Sequence, residues 1–187
     1  MRVIAVVALP GSGKSEAANV AEEMGIPVVT MGDVIRNACR ERGLETTEDN
    51  MGAVATALRE DGGDAAIAEA SIPLIENYVE SHDTVLVDGI RGIAEVNRFN
   101  DVFGDDFSLV SIEVPFETRL ERIQTRGRDP TAEDAMALKR RDERELGYGM
   151  GEAMQEADFT IENTDSLDAF RTKITHVLQN QQVVEEP

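Results

Sequence analysis

The sequence predicts a three-layer α/β domain in which helices cover both faces of a five-stranded parallel sheet. Short apolar runs of strand length alternate along the chain with longer segments of helical composition, which is the order that successive βαβ units produce. A helix between two strands returns the chain to the same end of the sheet, so the strands are expected to run parallel. The predicted strands are residues 3–7, 28–31, 83–89, 107–114 and 157–163.

Helices are predicted in every interval between these strands and after the last of them. They occupy residues 16–24, 34–40, 47–59, 64–80, 94–103, 116–125, 131–146 and 165–179, and Asp33 is the expected N-cap of the second. The length of 187 residues and the 41% hydrophobic content suit one domain. We expect that domain at residues 1–180, with a helical excursion at 33–80, a lid at 126–151 whose hinge is the glycine-rich segment 147–151, and a disordered tail at 181–187.

The chain is strongly acidic, with a net charge of −19 and a pI of about 4.4. Such a charge repels nucleic-acid backbones and anionic membranes, so neither is an expected partner. Lysine occurs three times against fifteen arginines, a balance that resembles cytosolic proteins of salt-loving archaea. In concentrated salt the self-repulsion of an acidic surface is screened. The alternative interpretation of this composition is an acidic protein from a mesophile.

The cysteine and histidine content offers no disulfide and no metal-ligand motif. Cys39 is the single cysteine, and His82 and His176 lie far apart in the sequence. The first residues lead directly into a strand without the pattern of a signal peptide, and no apolar run approaches membrane-spanning length. We therefore expect the protein in the cytoplasm.

A glycine-rich segment follows the first predicted strand and opens the first predicted helix. It consists of Ala8, Leu9, Pro10, Gly11, Ser12, Gly13, Lys14 and Ser15. In such a loop the backbone N–H groups surround phosphate oxygens, the lysine neutralises the β- and γ-phosphates of a nucleotide, and the serine binds Mg²⁺. The strict motif has glycine at the position of Ala8, and a broader form admits alanine. The segment predicts binding of ATP with Mg²⁺, and the alternative is an ordinary glycine-rich turn with a solvated lysine.

Asp88 ends the third predicted strand, which is expected to lie beside the strand that carries this loop. The carboxyl ends of parallel strands form the edge at which ligands bind. Two roles remain open for this residue. It holds Mg²⁺ through a water molecule beside Ser15, or it caps the turn at Gly89.

With these elements placed, residues 2–178 resemble the small P-loop kinases, which include adenylate and cytidylate kinases, dephospho-coenzyme A kinases and an archaeal family of kinase-like proteins. The phosphate loop is the most specific likeness. Residues 32–36 are similar to the Gly-Asp-x-x-Arg segment of adenylate kinases, and residues 88–91 are similar to their Asp-Gly-Phe-Pro-Arg, one residue shorter. Residues 157–163 resemble the last strand of dephospho-coenzyme A kinases. The resemblance implies a P-loop NTPase fold with a helical acceptor-binding insertion and a lid.

The same resemblance implies roles on the acceptor side of a kinase. Arg36 and Arg91 would bind the phosphate of the acceptor, and Asp33 would lie near the site of transfer. Asp33 either accepts the proton of an acceptor hydroxyl or only caps its helix. An acceptor that already carries a phosphate needs no base, so the choice depends on the acceptor.

Arginines gather where such kinases have a lid. Arg122, Arg126 and Arg128 resemble the arginines that begin it, where they would bind substrate and face charge on the transferring phosphoryl group. Arg144 lies on the next predicted helix. The alternative for Arg126 and Arg144 is an exposed ion pair with a surface acid such as Asp142, which is of little energetic value.

These residues together predict an ATP- and Mg²⁺-dependent phosphotransferase of the small-molecule kinase type. The expected catalytic groups are Lys14, Asp88, Asp33 and Arg126. The acceptor is expected to be nucleotide-like, either a nucleoside monophosphate or dephospho-coenzyme A. The alternative function is a regulatory switch that binds ATP, hydrolyses it slowly and acts through a protein partner. The sequence leaves homo-oligomerisation open.

Overall fold

The computed structural model describes residues 1–126 and 135–179 and confirms the predicted fold class. Arg128, the rest of segment 127–134 of the predicted lid, and the predicted tail lie outside the described residues. The strands are β1 (Arg2–Val7), β2 (Val28–Thr30), β3 (Thr84–Asp88), β4 (Phe107–Glu113) and β5 (Phe159–Glu162). Neighbouring strands pair in parallel throughout, and the sheet has the order β2-β3-β1-β4-β5.

Helices cover the two faces of this sheet. They are α1 (Lys14–Glu23), α2 (Met31–Glu41), α3 (Glu48–Gly62), α4 (Ala66–Val79), α5 (Ile93–Phe103), α6 (Phe116–Arg126), α7 (Ala135–Gly147), α8 (Met150–Gln155) and α9 (Leu167–Leu178). Alternate residues of a strand point to opposite faces, so β1 contributes to two cores. Val3, Ala5 and Val7 pack into the core that includes α4, α5 and α8, whereas Ile4 and Val6 pack into the core that includes α1 and α9. The sheet is therefore the middle one of three layers.

The predicted start of α2 is wrong. The helix begins at Met31, and its N-cap is Thr30, the last residue of β2. Strand and helix therefore follow each other without a loop, whereas the prediction began the helix after Asp33 because aspartate favours the N-cap position. Asp33 is not the cap. It lies inside the first turn, where its negative charge interacts favourably with the helix dipole.

Segment 147–151, the predicted hinge, forms a turn that is packed against the domain. Gly149 has a φ of 86°, which favours glycine, and α8, a helix that was not predicted, begins at Met150. Met150 is buried in the same core as α5. A Cβ atom on Gly92, which precedes α5, would lie 2.2 Å from the carbonyl oxygen of Tyr148. The turn therefore holds the end of α7 against the start of α5.

The register of the sheet brings three strand ends to one edge. Val6 of β1 and Thr30 of β2 both pair with Asp88 of β3. The segment that follows β1, the carboxylate of Asp88 and the start of α2 are therefore neighbours. Because β3 and β4 flank β1 on opposite sides, this edge is a topological switch point, where open α/β sheets bind ligands. In the described part of the chain, none of the helices has the length and hydrophobicity that crossing a membrane requires.

Replacing Gly92 with alanine is expected to destabilise the fold by about 1–3 kcal/mol, because the added methyl group would overlap a backbone carbonyl that cannot move freely. Gly52→Ala is the matched control. Gly52 lies within α3, a Cβ atom there would meet nothing within 4 Å, and alanine favours a helix by up to about 1 kcal/mol over glycine. Unfolding followed by circular dichroism in concentrated potassium chloride measures both variants, and equal stabilities would contradict the tight contact.

Candidate active site

The segment between β1 and α1 has the backbone that a phosphate loop needs. Gly11 and Gly13 have φ values of 81° and 114°, and Gly13 is the N-cap of α1 in the left-handed conformation. The side-chain amide of Asn163 donates to the carbonyl oxygen of Ser12 at 2.9 Å. A Cβ atom on Gly13 would lie 2.7 Å from that amide nitrogen, so both backbone conformation and space require glycine there. The loop thus presents its N–H groups at the start of a helix, as anion binding requires.

Ala8 and Lys14 have separate positions within this loop. The methyl group of Ala8 is fully buried among residues of α1 and α9, which explains why alanine is accommodated at the first position. The ammonium group of Lys14 donates to the carbonyl oxygen of Ala8 across the loop. Burial lowers the pKa of Lys14, and the nearby carboxylate of Asp88 acts against this shift. Ser15 follows on the exposed first turn of α1.

Asp88 is held in an environment that disfavours its charge. Its Oδ1 is buried and has no hydrogen-bond partner among the described residues. Burial raises the pKa of Asp88, while Lys14, Arg91 and the N–H group of Gly89 act in the opposite direction. The contact with Gly89 belongs to the turn-capping role, and the unpartnered oxygen leaves an acceptor for a second interaction. Lys14, Asp88 and Arg91 therefore lie close enough for their charges to interact.

The residues at this edge fit a magnesium ion that is bound mainly by phosphates and water. An unpartnered carboxylate oxygen and a hydroxyl group are the ligand types that Mg²⁺ or its waters contact. In residues 1–126 and 135–179, no group of three or more His, Cys, Asp or Glu side chains is arranged to hold a metal ion. Asp88 and Ser15 would therefore need the oxygens of a bound nucleotide to complete the coordination.

Arg91 is part of a network of charged groups beside Asp88. Its guanidinium group donates to the carboxylate of Glu145, and its backbone N–H group donates to Glu95 at 2.7 Å. Glu95 also pairs with Arg59 at 3.5 Å, and that guanidinium group lies 5.5 Å from the ring centroid of Tyr148. Burial raises the pKa of Glu95, which its contacts with Arg91 and Arg59 oppose. Glu95 lies in the first turn of α5, and only 2% of it is exposed.

A cavity of about 140 Å³ opens beside this network. Its walls come from the end of α3 and the loop after it, from the start of α5, and from the turn between α7 and α8. The lining residues include Arg59, Arg91, Glu95, Gly147 and Tyr148. Parts of the predicted helical excursion and of the predicted lid therefore meet at one cavity.

Asp33 and Arg36 form a separate pair at the start of α2. Arg36 donates to the carboxylate of Asp33, and the side chains are 40% and 56% exposed, respectively. A Cβ atom on Gly89 would lie 3.2 Å from the Cβ of Met31, so the start of α2 packs closely against the turn after Asp88. The pair is therefore attached to the same edge of the sheet as the phosphate loop.

The predicted arginines of α6 have different positions. Arg122 donates to the carbonyl oxygen of Asn163 at 2.9 Å, Arg126 is the last residue of α6, and Arg128 is outside the described residues. Sequence reasoning missed Arg119, which is 3% exposed and donates to the carbonyl oxygen of Pro10 at 3.1 Å. A sequence signal for Arg119 was available, because it lies one and two helical turns before Arg122 and Arg126 on the same stripe of the helix.

Asp142 is not the surface acid that the sequence analysis considered. It is buried on α7 and accepts two hydrogen bonds from Arg119, at 2.9 Å to Oδ1 and 2.6 Å to Oδ2. Arg119 therefore connects α7 with Pro10 of the phosphate loop.

The fold and the loop define a P-loop nucleotide-binding domain of the kind found in small kinases. A family model described as an AAA domain matches residues 7–137. The crystal structure of TT1252 from Thermus thermophilus is similar with a TM-score of 0.66, covering 96% of this chain and 97% of that chain at 16% identity. A shikimate kinase from Bacteroides thetaiotaomicron is similar with a TM-score of 0.59, covering 95% and 98% at 13% identity. Identities this low show a shared fold alone.

Relatives at higher identity come from archaea. A UPF0200 protein from Halobacterium salinarum is 52% identical over 178 residues, which cover 95% of this chain and 93% of that protein. A UPF0200/UPF0201 protein from Archaeoglobus fulgidus is also 52% identical, and this chain spans 55% of its length. The chain belongs to the UPF0200 protein family.

Replacing Asp88 with asparagine is expected to stabilise the metal-free fold at neutral pH by about 1 kcal/mol. Because burial raises the pKa of Asp88 above its usual 3.8, ionisation of this carboxyl group costs folding free energy. That cost is absent below pH 3.8, grows as the pH rises through 3.8 to the raised value, and stays constant above it. The stability gained by the variant should therefore shrink on acidification.

Free energies of unfolding in EDTA across a pH series measure this difference. Asp83→Asn is the control, because Asp83 is exposed and directly precedes the same strand. A loss of stability in Asp88→Asn at neutral pH, or a gain independent of pH, would contradict the assigned burial.

Proposed function

We propose that the chain is an ATP- and Mg²⁺-dependent phosphotransferase that acts on a small nucleotide-like acceptor, a nucleoside monophosphate or dephospho-coenzyme A. The observation that supports it is the convergence of Lys14, Asp88 and Arg91 at the switch point of the sheet. A positive group for the donor phosphates, a carboxylate for the metal's water and a second positive group lie next to one another there. Phosphoryl transfer requires this alignment and little covalent chemistry from the protein.

On the donor side, the loop from Ala8 to Ser15 would hold the phosphates of ATP. The N–H groups near Gly11 and Gly13 would contact phosphate oxygens, and Lys14 would exchange the carbonyl oxygen of Ala8 for the β- and γ-phosphates. Ser15 and Asp88, the latter through water, would hold Mg²⁺. The ion supplies positive charge between the phosphates, which lowers the barrier to transfer.

On the acceptor side, Arg36 and Arg91 would bind the acceptor's phosphate, and the cavity beside Arg91 gives a bound molecule room to approach it. Asp33 is not the helix cap. It would accept the proton of an acceptor hydroxyl if the acceptor is phosphorylated there. If the acceptor already carries a phosphate, Asp33 would only bind Arg36. Arg122, Arg126 and Arg128 would face charge on the transferring group as the lid closes.

The kinase proposal has a direct test in an acceptor screen. Purified protein in concentrated potassium chloride is incubated with Mg-ATP, alone and with each nucleoside monophosphate or dephospho-coenzyme A, and ADP and phosphorylated product are quantified by mass spectrometry. One acceptor should stimulate ADP release and gain a phosphate. ATP binding with slow turnover that no acceptor changes would favour the regulatory switch instead.

Replacing Lys14 with alanine should weaken ATP binding or turnover by about 100-fold or more, because the variant lacks a charge-assisted contact in a site of low dielectric. The control is Lys139→Ala, which removes a lysine that lies over the ring of Phe116 on α6. Calorimetric titration with a non-hydrolysable ATP analogue gives both affinities. Normal affinity in Lys14→Ala would refute the phosphate-loop assignment.

Replacing Arg36 with alanine should raise the KM for the acceptor about tenfold or more and leave the Kd for ATP within about twofold. Arg40→Ala is a close control, since Arg40 lies about one turn further along α2 and bonds to Asn37 as Arg36 bonds to Asp33. Steady-state kinetics with the acceptor from the screen separate the two parameters. Equal loss of both would contradict an acceptor role for Arg36.

A further inference from the structure

Helix α7 carries two carboxylates where an amphipathic helix normally has apolar residues. Its buried residues are Leu138, Asp142 and Glu145, which recur at the spacing of a single helical stripe. Glu145 is 4% exposed and Asp142 8%. A buried carboxylate without a partner is strongly disfavoured, and each of these acids meets a guanidinium group from a different part of the chain.

The Asp142 pair leads to the phosphate loop. Both carboxylate oxygens of Asp142 accept hydrogen bonds from Arg119. This bidentate geometry fixes the orientation of the guanidinium plane. The same guanidinium group donates to the carbonyl oxygen of Pro10 at 3.1 Å and to that of Val114 at 3.3 Å. The loop backbone at Pro10 is therefore held by α7 through one intermediate residue.

The Glu145 pair leads to the other side of the site. Glu145 accepts from one nitrogen of Arg91, whose side chain is 46% exposed. The Nε and second terminal nitrogen of Arg91 make no hydrogen bond within the described part of the chain, so they are available to a ligand. With its backbone N–H group held by Glu95, Arg91 is fixed at both ends.

We propose that Glu145 is a positioning residue that directs Arg91 toward the acceptor, while Asp142 positions the phosphate loop through Arg119, so that α7 sets the donor and acceptor sides relative to each other. This inference rests on the proposed function. It assigns to α7 a task distinct from that of the lid arginines, because each acid is bonded to an arginine and would act through it. Because Asp142 and Glu145 lie on one stripe of α7, a movement of this helix would shift the phosphate loop and Arg91 together.

The inference predicts opposite effects for two isosteric variants. Glu145→Gln should raise the KM for the acceptor about tenfold, since Arg91 loses its hydrogen-bonded ionic partner. The Kd for ATP should stay within about twofold, since Glu145 attracts Lys14 without a hydrogen bond and more weakly than Asp88 does. Asp142→Asn should raise the Kd for ATP about tenfold, since the loop loses its support at Pro10. Glu143→Gln, an exposed residue between them, is the matched control and should change neither.

A measurement that needs no acceptor accompanies the kinetics. In protein labelled with ¹⁵N at arginine, the guanidinium signals of Arg91, assigned by their loss in Arg91→Lys, should show slow rotation in the wild type and in Glu143→Gln. Rotation should become fast in Glu145→Gln. Glu145→Asp keeps the charge but shortens the side chain, and it should give an intermediate result if Glu145→Gln does not fold.

These outcomes separate the inference from the kinase proposal. Fast rotation of Arg91 in the wild type, or kinetic effects in Glu145→Gln no larger than those of Glu143→Gln, would overturn the inference. Equal loss of ATP binding and acceptor use in both buried variants would also overturn it, since a purely structural pair gives that result. The kinase proposal alone would be refuted if no acceptor were phosphorylated in any screen. The anchoring by α7 would still stand if Arg91 rotated slowly and Asp142→Asn weakened ATP binding selectively.

Discussion

The pairing of β1 with β3 is the constraint on which the candidate site depends. The register places Val6 opposite Asp88, and neighbouring strands lie about 4.8 Å apart, so the loop that leaves β1 begins beside that carboxylate. Burial of Asp88 disfavours its charge, which is why the attraction of Lys14 matters. The start of the loop and Asp88 therefore keep their relative position as long as β1 and β3 stay paired.

Much of this arrangement was predictable because its signals are local. Apolar runs identified the strands, the glycines and Lys14 identified the loop, and the place of Asp88 at the end of a strand identified its edge. The buried acids were not predictable in this way. Asp142 is 23 residues from Arg119, and Glu145 is 54 residues from Arg91. The burial of the two acids therefore depends on tertiary partners that no local pattern reveals.

The errors at α2 and α8 have a related cause. The start of α2 was placed after Asp33 because aspartate favours the N-cap, but tertiary packing of Met31 against Gly89 carries the helix back through Gly32 to Met31. Helix α8 was missed because the glycines at 147–151 indicated only a flexible segment, whereas Met150 anchors a short helix in the core. Glycine content indicated where the backbone turns and gave no information on whether the turn is packed.

The environment of each ion pair determines how it responds to salt. Concentrated salt screens exposed pairs such as Asp33–Arg36, so the guanidinium group of Arg36 becomes available to a ligand. The pair between Arg119 and Asp142 is buried and is screened much less. High ionic strength therefore weakens the exposed pair on α2 while the buried pair under the phosphate loop keeps its geometry.

The unpartnered oxygen of Asp88 also links folding to the supply of ions. A cation or cation-bound water that contacts this oxygen in the folded chain removes a penalty that the unfolded chain never has. The folded population then rises with the concentration of that cation, and with it the heat resistance of the protein. A carboxylate that weakens the fold makes such a ligand a contributor to folding, so the lifetime of the protein would depend on the supply of that ligand.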